Sequence, residues 1–454
     1  MRCFEVSDVI NATNGKLVTG ENDFIKITGV TMDSRKIEAG FLFVAIKGER
    51  VDGHDFIGQV FEKGAACVLC EHVPEGVTGP CVVVDNTVKA LQALAEWYRL
   101  SLKTKVVGIT GSVGKTSTKE VVYYVLSEKF KTQKTIGNYN NEIGLPLTVL
   151  ATEEDTEMLV LEMGISDFGE MRVLSKVAHP DVCVITNIGQ CHLEFLHNRD
   201  GILKAKSEIF EYMNPKGRIY LNGDDDKLIT VTDVNGIKPT FYGLGMNNTA
   251  YPTCVESLGL GGSRMNIVLV DDEFDAEIRI PGNHMVMNAV CAAAIGKDLG
   301  MTNEEIANGI KNAKTIDGRC NLIPANGGYV IDDCYNASPA SMKAAIDTLM
   351  MANGRKVAIL GDMFELGTES DAMHASIGEY AVNSGVDKLI CVGANCSHMY
   401  NAAMHTKGRT GIVYYSKLDD LIRNLSIEIK EKDNILVKAS HGMGFAALVS
   451  ALTK

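Results

Sequence analysis

The sequence has no apolar run approaching the ~20 residues of a membrane span, and its first residues lack the basic and apolar regions of a signal peptide. There is no internal repeat, no low-complexity tract and no glycine period, so collagenous and disordered classes are excluded. Positive charge is also short. Forty-four Lys and Arg stand against fifty-seven Asp and Glu, a formal net charge of −13. An acidic chain gains nothing from counterion release, which excludes nucleic acid and anionic membrane as partners. The twelve cysteines show no disulfide-like framework and are expected as reduced, buried thiols. No strand end carries a Gly-x-Gly-x-x-Gly, so a dinucleotide site has little support. These absences point to a cytoplasmic globular protein, and 454 residues exceed what one hydrophobic core organises.

What is present centres on Lys105-Val-Val-Gly-Ile-Thr-Gly-Ser-Val-Gly-Lys-Thr-Ser117. Lys105 to Ile109 reads as a buried strand, and Ser117 to Phe130 as an amphipathic helix after a glycine turn. Strand, turn and helix N-terminus make a phosphate cradle. Backbone N–H groups and the helix dipole favour an anion, Lys115 adds a point charge, and a hydroxyl is available for Mg²⁺. Ile109 stands where the full pattern has its first glycine, while Gly111, Gly114, Lys115 and Thr116 are in place.

Residues 1–104 carry their own strand and helix signals, with strands at Ala66–Cys70 and Cys81–Val84 and a helix at Val88–Leu102. Ser34 and Arg35 read either as a surface turn or as ligand contacts. From 105 to 314 strands and helices alternate as in a doubly wound parallel sheet, with strands at 105–110, 158–163, 182–187 and 217–221. Glu162 ends one of them, placed for Mg²⁺ or for a structural ion pair. His192, Glu194 and Lys206 fall in one short βα unit, and the amide-rich loop from Thr135 to Pro146 suits a polar substrate or is merely a long turn. A hairpin is expected about Asp271-Asp-Glu, then an Ala-rich helix from Pro281-Gly-Asn-His284 and a last helix opened by a Thr302/Glu305 capping box. Asp317-Gly-Arg319 reads as a hinge. Residues 315–454 repeat the α/β pattern with strands at Tyr329–Asp333, Lys356–Leu360, Lys388–Val392 and Ile435–Ala439.

Thr110-Gly-Ser-Val-Gly-Lys-Thr116, Glu162-Met-Gly164, Thr186-Asn-Ile-Gly189 with His192, Ala205-Lys-Ser-Glu208, Gly282-x-His284 with Asn288, Asp317-Gly-Arg319 and Asp333-x-Tyr-Asn-Ala337 together resemble the Mur ligase signature. Asn140-Asn-Glu-Ile-Gly-Leu-Pro146, Tyr335-Asn-Ala-Ser-Pro339 and Leu360-Gly-Asp-Met-Phe-Glu-Leu-Gly367 resemble the branch of that family adding D-alanyl-D-alanine to UDP-N-acetylmuramoyl-tripeptide. The resemblance implies an α/β protein of three domains: an N-terminal UDP-sugar-binding domain, a central P-loop ATP-binding domain and a C-terminal Rossmann-like domain. It implies an ATP- and Mg²⁺-dependent amide ligase acting through an acyl phosphate, working as a monomer in peptidoglycan precursor synthesis.

By the same resemblance, Gly111, Ser112, Gly114, Lys115, Thr116, Ser117, His284, Asn288, Arg319 and Asp333 bind ATP. Thr116, Glu162, His192 and Lys206 serve metal, with Lys206 carbamylated, and Lys115, His192 and Lys206 are the catalytic set. Ser34, Arg35, Asn138, Asn141, Tyr335, Asn336 and Ser338 contact the substrates. The alternatives are another amide ligase of the superfamily, diamino-acid-adding or folylpolyglutamate-forming, and a P-loop NTPase switch. The Asn-Asn-x-x-Gly-x-Pro and Tyr-Asn-Ala-Ser-Pro stretches count against the first two, and no DxxG or DExx strand end supports the third.

Overall fold

The computed structural model describes residues 1–20, 23–191 and 193–453, so the expectations for His192 lie outside the described residues. Three α/β units follow one another. The central one holds a six-stranded parallel sheet in the order Thr240–Tyr242, Arg218–Asn222, Val182–Ile185, Lys105–Thr110, Met158–Glu162, Thr132–Lys134. Its strands are near-continuous apolar runs because helices cover both faces; Val106, Val107 and Ile109 are all fully buried. The Lys105–Thr110 strand lies between two strands that follow it in sequence, so its carboxyl end opens into the crevice where such sheets bind ligands.

The expected hairpin is present as Ser263–Leu269 paired with Asp272–Ile278. A third strand, Tyr251–Ser257, joins it, and no alternating pattern had marked that strand. The capping box is present too: Thr302 Oγ1 accepts from Glu305 N, and the Glu305 carboxylate accepts from Thr302 N. The phosphate-loop helix runs Lys115–Ser127, starting two residues earlier than its apolar periodicity suggests. The strand expected to reach 187 stops at Ile185, because Thr186 and Asn187 turn their side chains to the neighbouring loop.

The first unit is a five-stranded sheet in the order Lys16–Thr19, Cys81–Val83, Cys67–Cys70, Phe41–Val44, Gly29–Thr31, parallel except for its first pair. Cys67-Val-Leu-Cys70 has the C-x-x-C spacing, but within a strand it sends its two thiols to opposite faces. All twelve cysteines are free thiols. The helix Thr87–Ser101 then carries Leu91, Leu94, Ala95 and Tyr98 into a core continuous with Leu159, Met171 and Leu174 of the central unit. Tyr98 Oη donates to Thr152 O at 2.7 Å, and Arg99 Nε donates to Ala178 O at 2.9 Å.

The last unit is a six-stranded sheet in the order Asn321–Ala325, Gly328–Asp332, Asn434–Lys438, Lys356–Gly361, Lys388–Val392, Gly411–Tyr415, with only the first pair antiparallel. The buried residues of its two hydrophobic cores all lie within it, with Leu260 of the central unit packed against one of them. No helix among the described residues is long and apolar enough to cross a membrane.

Candidate active site

A cleft of about 450 Å³ opens between the central and last sheets. Its floor is the phosphate loop, Ser112 to Ser117. Gly111 has φ +150°, and a Cβ there would sit 1.9 Å from Thr186 Oγ1, so no other residue fits. Gly114 opens the helix at φ +87° with no side-chain cap, leaving the first-turn N–H groups for an anion. The neighbouring strand end pins the loop. Asn187 Oδ1 accepts from Val113 N at 2.9 Å, while Asn187 Nδ2 and Thr186 Oγ1 both donate to Val113 O. Ser112 Oγ accepts from Gly189 N.

Lys115 is held back within its own loop, its Nζ donating to Gly111 O at 2.8 Å. Burial lowers its pKa, and Glu162 nearby works the other way. Glu162 ends the strand paired with the phosphate-loop strand, opposite Ile109. It is 2% exposed, and its two oxygens differ. Oε1 accepts from Asn140 Nδ2 at 2.8 Å, whereas Oε2 has no hydrogen-bond partner among the described residues. A buried acceptor left open in this way fits a hard cation, and Thr116, 5% exposed on the adjacent helix turn, supplies a hydroxyl of the kind Mg²⁺ takes.

Lys206, on the helix Arg199–Ser207, is fully buried. Burial first, and the Lys115 charge second, lower its pKa to about 7. Burial disfavours an ammonium there and the Lys115 charge adds repulsion, so the neutral amine is favoured. Gln190 and Cys191, just before His192, line the cleft.

The opposite wall mixes both units. His284 and Asn288 stand on the helix Asn283–Asp298, and Asn288 Oδ1 accepts from Thr118 Oγ1 at 2.9 Å. Burial lowers the His284 pKa. From the last unit come Arg319, Asp333, Tyr335, Asn336 and Ser338. The Arg319 guanidinium lies 4.1 Å from the Tyr335 ring centroid, and its buried Nε has no hydrogen-bond partner among the described residues. Lys438 Nζ donates to Asp333 Oδ2 at 2.6 Å and to Asn336 O at 2.9 Å, tying two loops into one rim. Ser338 caps the helix Pro339–Met350.

Not every candidate gathers here. Ser34 and Arg35 lie in the first unit, outside the cleft, and Arg35 grips Asp33 through Nε and Nη2, holding that carboxyl down to about 2. Asn138 is exposed, and Asn141 Oδ1 accepts from Gly144 N at the start of the helix Gly144–Leu150. Asn140, between them, is the amide that reaches Glu162; its place at the head of the Asn140–Pro146 stretch was the available signal. Thr135 and Asn187 stand within stretches that the sequence singled out, whereas Lys119 had no local signal. Asp362, His374 and Cys396 are the only cluster of three candidate ligands among the described residues. Both His374 ring nitrogens are engaged, Nε2 accepting from Met363 N and Nδ1 facing Ser370 O, so the cluster braces a loop instead.

Known proteins agree with this arrangement along the whole chain. Models of the Mur ligase family match in order: the catalytic domain at 26–99, the middle domain at 109–296 and the glutamate ligase domain at 318–441. The UDP-N-acetylmuramoyl-tripeptide–D-alanyl-D-alanine ligase of Bacillus subtilis (strain 168) is 38% identical over 452 residues, covering 98% of each chain. The chain belongs to the Mur ligase family. The Escherichia coli (strain K12) ligase of the same name is 33% identical, again covering 98% of each chain. Among solved structures, MurF from Acinetobacter baumannii superposes with a TM-score of 0.91 at 30% identity, covering 100% of this chain and 99% of that one. MurF from Thermotoga maritima in complex with ADP gives 0.83 at 28% identity, covering 94% and 97%. The three-domain Mur ligase architecture is thus the architecture of this chain.

Proposed function

We propose that this chain is an ATP-dependent ligase that joins D-alanyl-D-alanine to UDP-N-acetylmuramoyl-tripeptide in peptidoglycan precursor synthesis. The observation that supports it most is a single cleft walled on one side by a phosphate loop and on the other by the Tyr335–Ser338 loop, in a chain alike end to end to ligases of that name. The tripeptide carboxylate attacks the γ-phosphorus of ATP, forming an acyl phosphate and releasing ADP. The dipeptide amine then adds to the acyl carbon, loses a proton, and the tetrahedral intermediate expels phosphate. Both steps bring anions together, so cationic and N–H groups around them supply the electrostatic stabilisation.

In this reading residues 1–104 bind the UDP-sugar through Ser34 and Arg35, 105–314 bind ATP, and 315–454 present the dipeptide through Tyr335, Asn336 and Ser338. Asn138 and Asn141 border the acceptor. Lys115 neutralises β/γ-phosphate charge on a bed of Gly111, Ser112, Gly114 and Ser117, with His284 and Asn288 toward the base and Arg319 and Asp333 arriving from the last unit. Thr116 and Glu162, with His192 for a second ion, would hold Mg²⁺, which when bound screens the triphosphate and polarises its γ-phosphoryl oxygens. Lys206 works as a carbamate: its buried amine, with the pKa drawn down to about 7, is neutral enough for its nitrogen to bond CO₂ and release a proton, leaving a carbamate anion. The enzyme acts as a cytoplasmic monomer. The test is ADP release with UDP-N-acetylmuramoyl-tripeptide, with and without D-alanyl-D-alanine. Sustained turnover only with both substrates is expected, and turnover indifferent to the dipeptide would sink the reading.

A further inference from the structure

One helical turn beyond Lys115, Lys119 is buried at 1% exposure beside Glu162. Its Nζ donates to Thr135 O at 2.9 Å and stands 3.3 Å from Glu120 Oε1 and 3.7 Å from Glu162 Oε2. Glu120, itself buried, also pairs with Lys134, whose ammonium sits 4.0 Å from the Tyr123 ring centroid. Two cations and two carboxylates therefore form a chain, Lys134–Glu120–Lys119–Glu162, whose charges balance, with Lys115 near its Glu162 end. The geometry within it is uneven. Lys119 is hydrogen-bonded to the Thr135 carbonyl and held toward Glu120, which keeps it beyond hydrogen-bond distance of Glu162. Its charge compensates the Glu162 carboxylate while the Oε2 lone pairs stay open.

We propose that Lys119 is a positioning residue that withholds Glu162 from free divalent cations until the nucleotide arrives. A dication approaching Oε2 without nucleotide meets a carboxylate already neutralised by an ammonium under 4 Å away, in a setting where water screens poorly. The triphosphate brings its own negative charge and tips the balance, so metal and nucleotide enter together. Thr135 does double duty in this arrangement. Its carbonyl anchors Lys119, and its Oγ1 accepts from Glu162 N at 3.0 Å, so the spacing between ammonium and carboxylate is fixed from both ends. The inference rests on Glu162 being the metal-side carboxylate.

The experiment reads Mn²⁺ binding directly, by the loss of the free-ion paramagnetic resonance signal, on purified full-length protein. Without nucleotide, Lys119→Met should bind Mn²⁺ at least about tenfold more tightly than the parent, since one neighbouring positive charge is gone. Lys119→Arg should stay as weak as the parent. Lys119→Gln, which keeps a donor for the Thr135 carbonyl, carries the same expectation as Lys119→Met should the latter not fold. Folded Met and Gln variants that bind no more tightly than the parent would overturn the inference. So would a parent that binds nucleotide-free Mn²⁺ as tightly as the two neutral variants. A separate arm adds a non-hydrolysable ATP analogue. There Glu162→Gln should weaken Mn²⁺ uptake at least about tenfold; if it does not, the metal reading of Glu162 fails, whatever the Lys119 variants do.

Discussion

Where the first unit meets the central one, Leu91, Leu94 and Tyr98 run into the same core as Leu159 and Met171, and buried hydrogen bonds to Thr152 O and Ala178 O close the seam. Where the last unit meets the central one, the facing surfaces are a phosphate loop, an arginine whose Nε has no partner among the described residues, and a lysine–aspartate rim around open space. The first contact is a domain core cut by a change of sheet. The second keeps polar groups in reserve, and polar groups held in reserve are what a reaction between anions requires. Stability and chemistry are therefore assigned to different interfaces of one sheet, and substitutions should separate them.

The largest separation is expected at the cleft. Lys115→Ala and Glu162→Ala should each lower turnover by more than about two decades, since each removes an electrostatic contribution of several kcal/mol to the transition state. The thermal midpoint of Lys115→Ala should stay near the parent's, while that of Glu162→Ala should fall because buried Lys119 loses a compensating carboxylate. Near-normal steady-state turnover in either folded variant would break the comparison on its chemical side.

Lys206→Ala comes next, losing about tenfold or more in rate, with partial recovery when formate or acetate fills the vacated anion site. The parent should also respond to pH with a definite sign. The folded pKa of Lys206 is lowered to about 7 from 10.5, so between those values the unfolded chain binds more protons. This group therefore disfavours the fold in full below pH 7, and the penalty is relieved progressively as pH rises from about 7 to 10.5. Carbamate formation needs the neutral amine and follows the same direction. Bicarbonate-dependent activity should increase from about pH 6.5 to pH 8; a Lys206→Ala enzyme as active as the parent in bicarbonate-free buffer would remove the carbamate.

At the seam the expectation is inverted. Leu94→Ala should cost about 2–5 kcal/mol in denaturant unfolding, with KM for ATP unchanged. Tyr98→Phe, which leaves the Thr152 carbonyl and the Arg2 N–H without their partner, should cost about 1 kcal/mol. If either lowers kcat more than it lowers stability, the seam is not the passive support its packing implies.

The smallest signal concerns motion. Gly318, at φ +75° between Asp317 and Arg319, joins the central and last units where, among the described residues, Leu260 is the one central-unit side chain packed against the last unit's cores. Scattering with an ATP analogue and the tripeptide substrate should show a reduced radius of gyration. No change at saturation would mean that the cleft is already closed.

Local sequence carried much of this. The phosphate loop, the buried parallel strands, the hairpin about Asp271, the Thr302 capping box and the three α/β units follow from periodicity, glycine placement and caps, which act within a few residues and leave a mark there. Their boundaries shifted by a residue or two where side chains such as Thr186 and Asn187 left the strand to serve a loop. The family's motifs also named most residues that line the cleft. What the chain could not disclose by itself is which partners those residues have. That Asn140 meets Glu162, that Lys119 stands 3.7 Å behind it, and that Lys438 binds the loop of Asp333 depend on which strands lie side by side. Strand order is set by the burial of whole sheets, and a pairing between residues 22 or 105 positions apart has no signature in the residues that separate them.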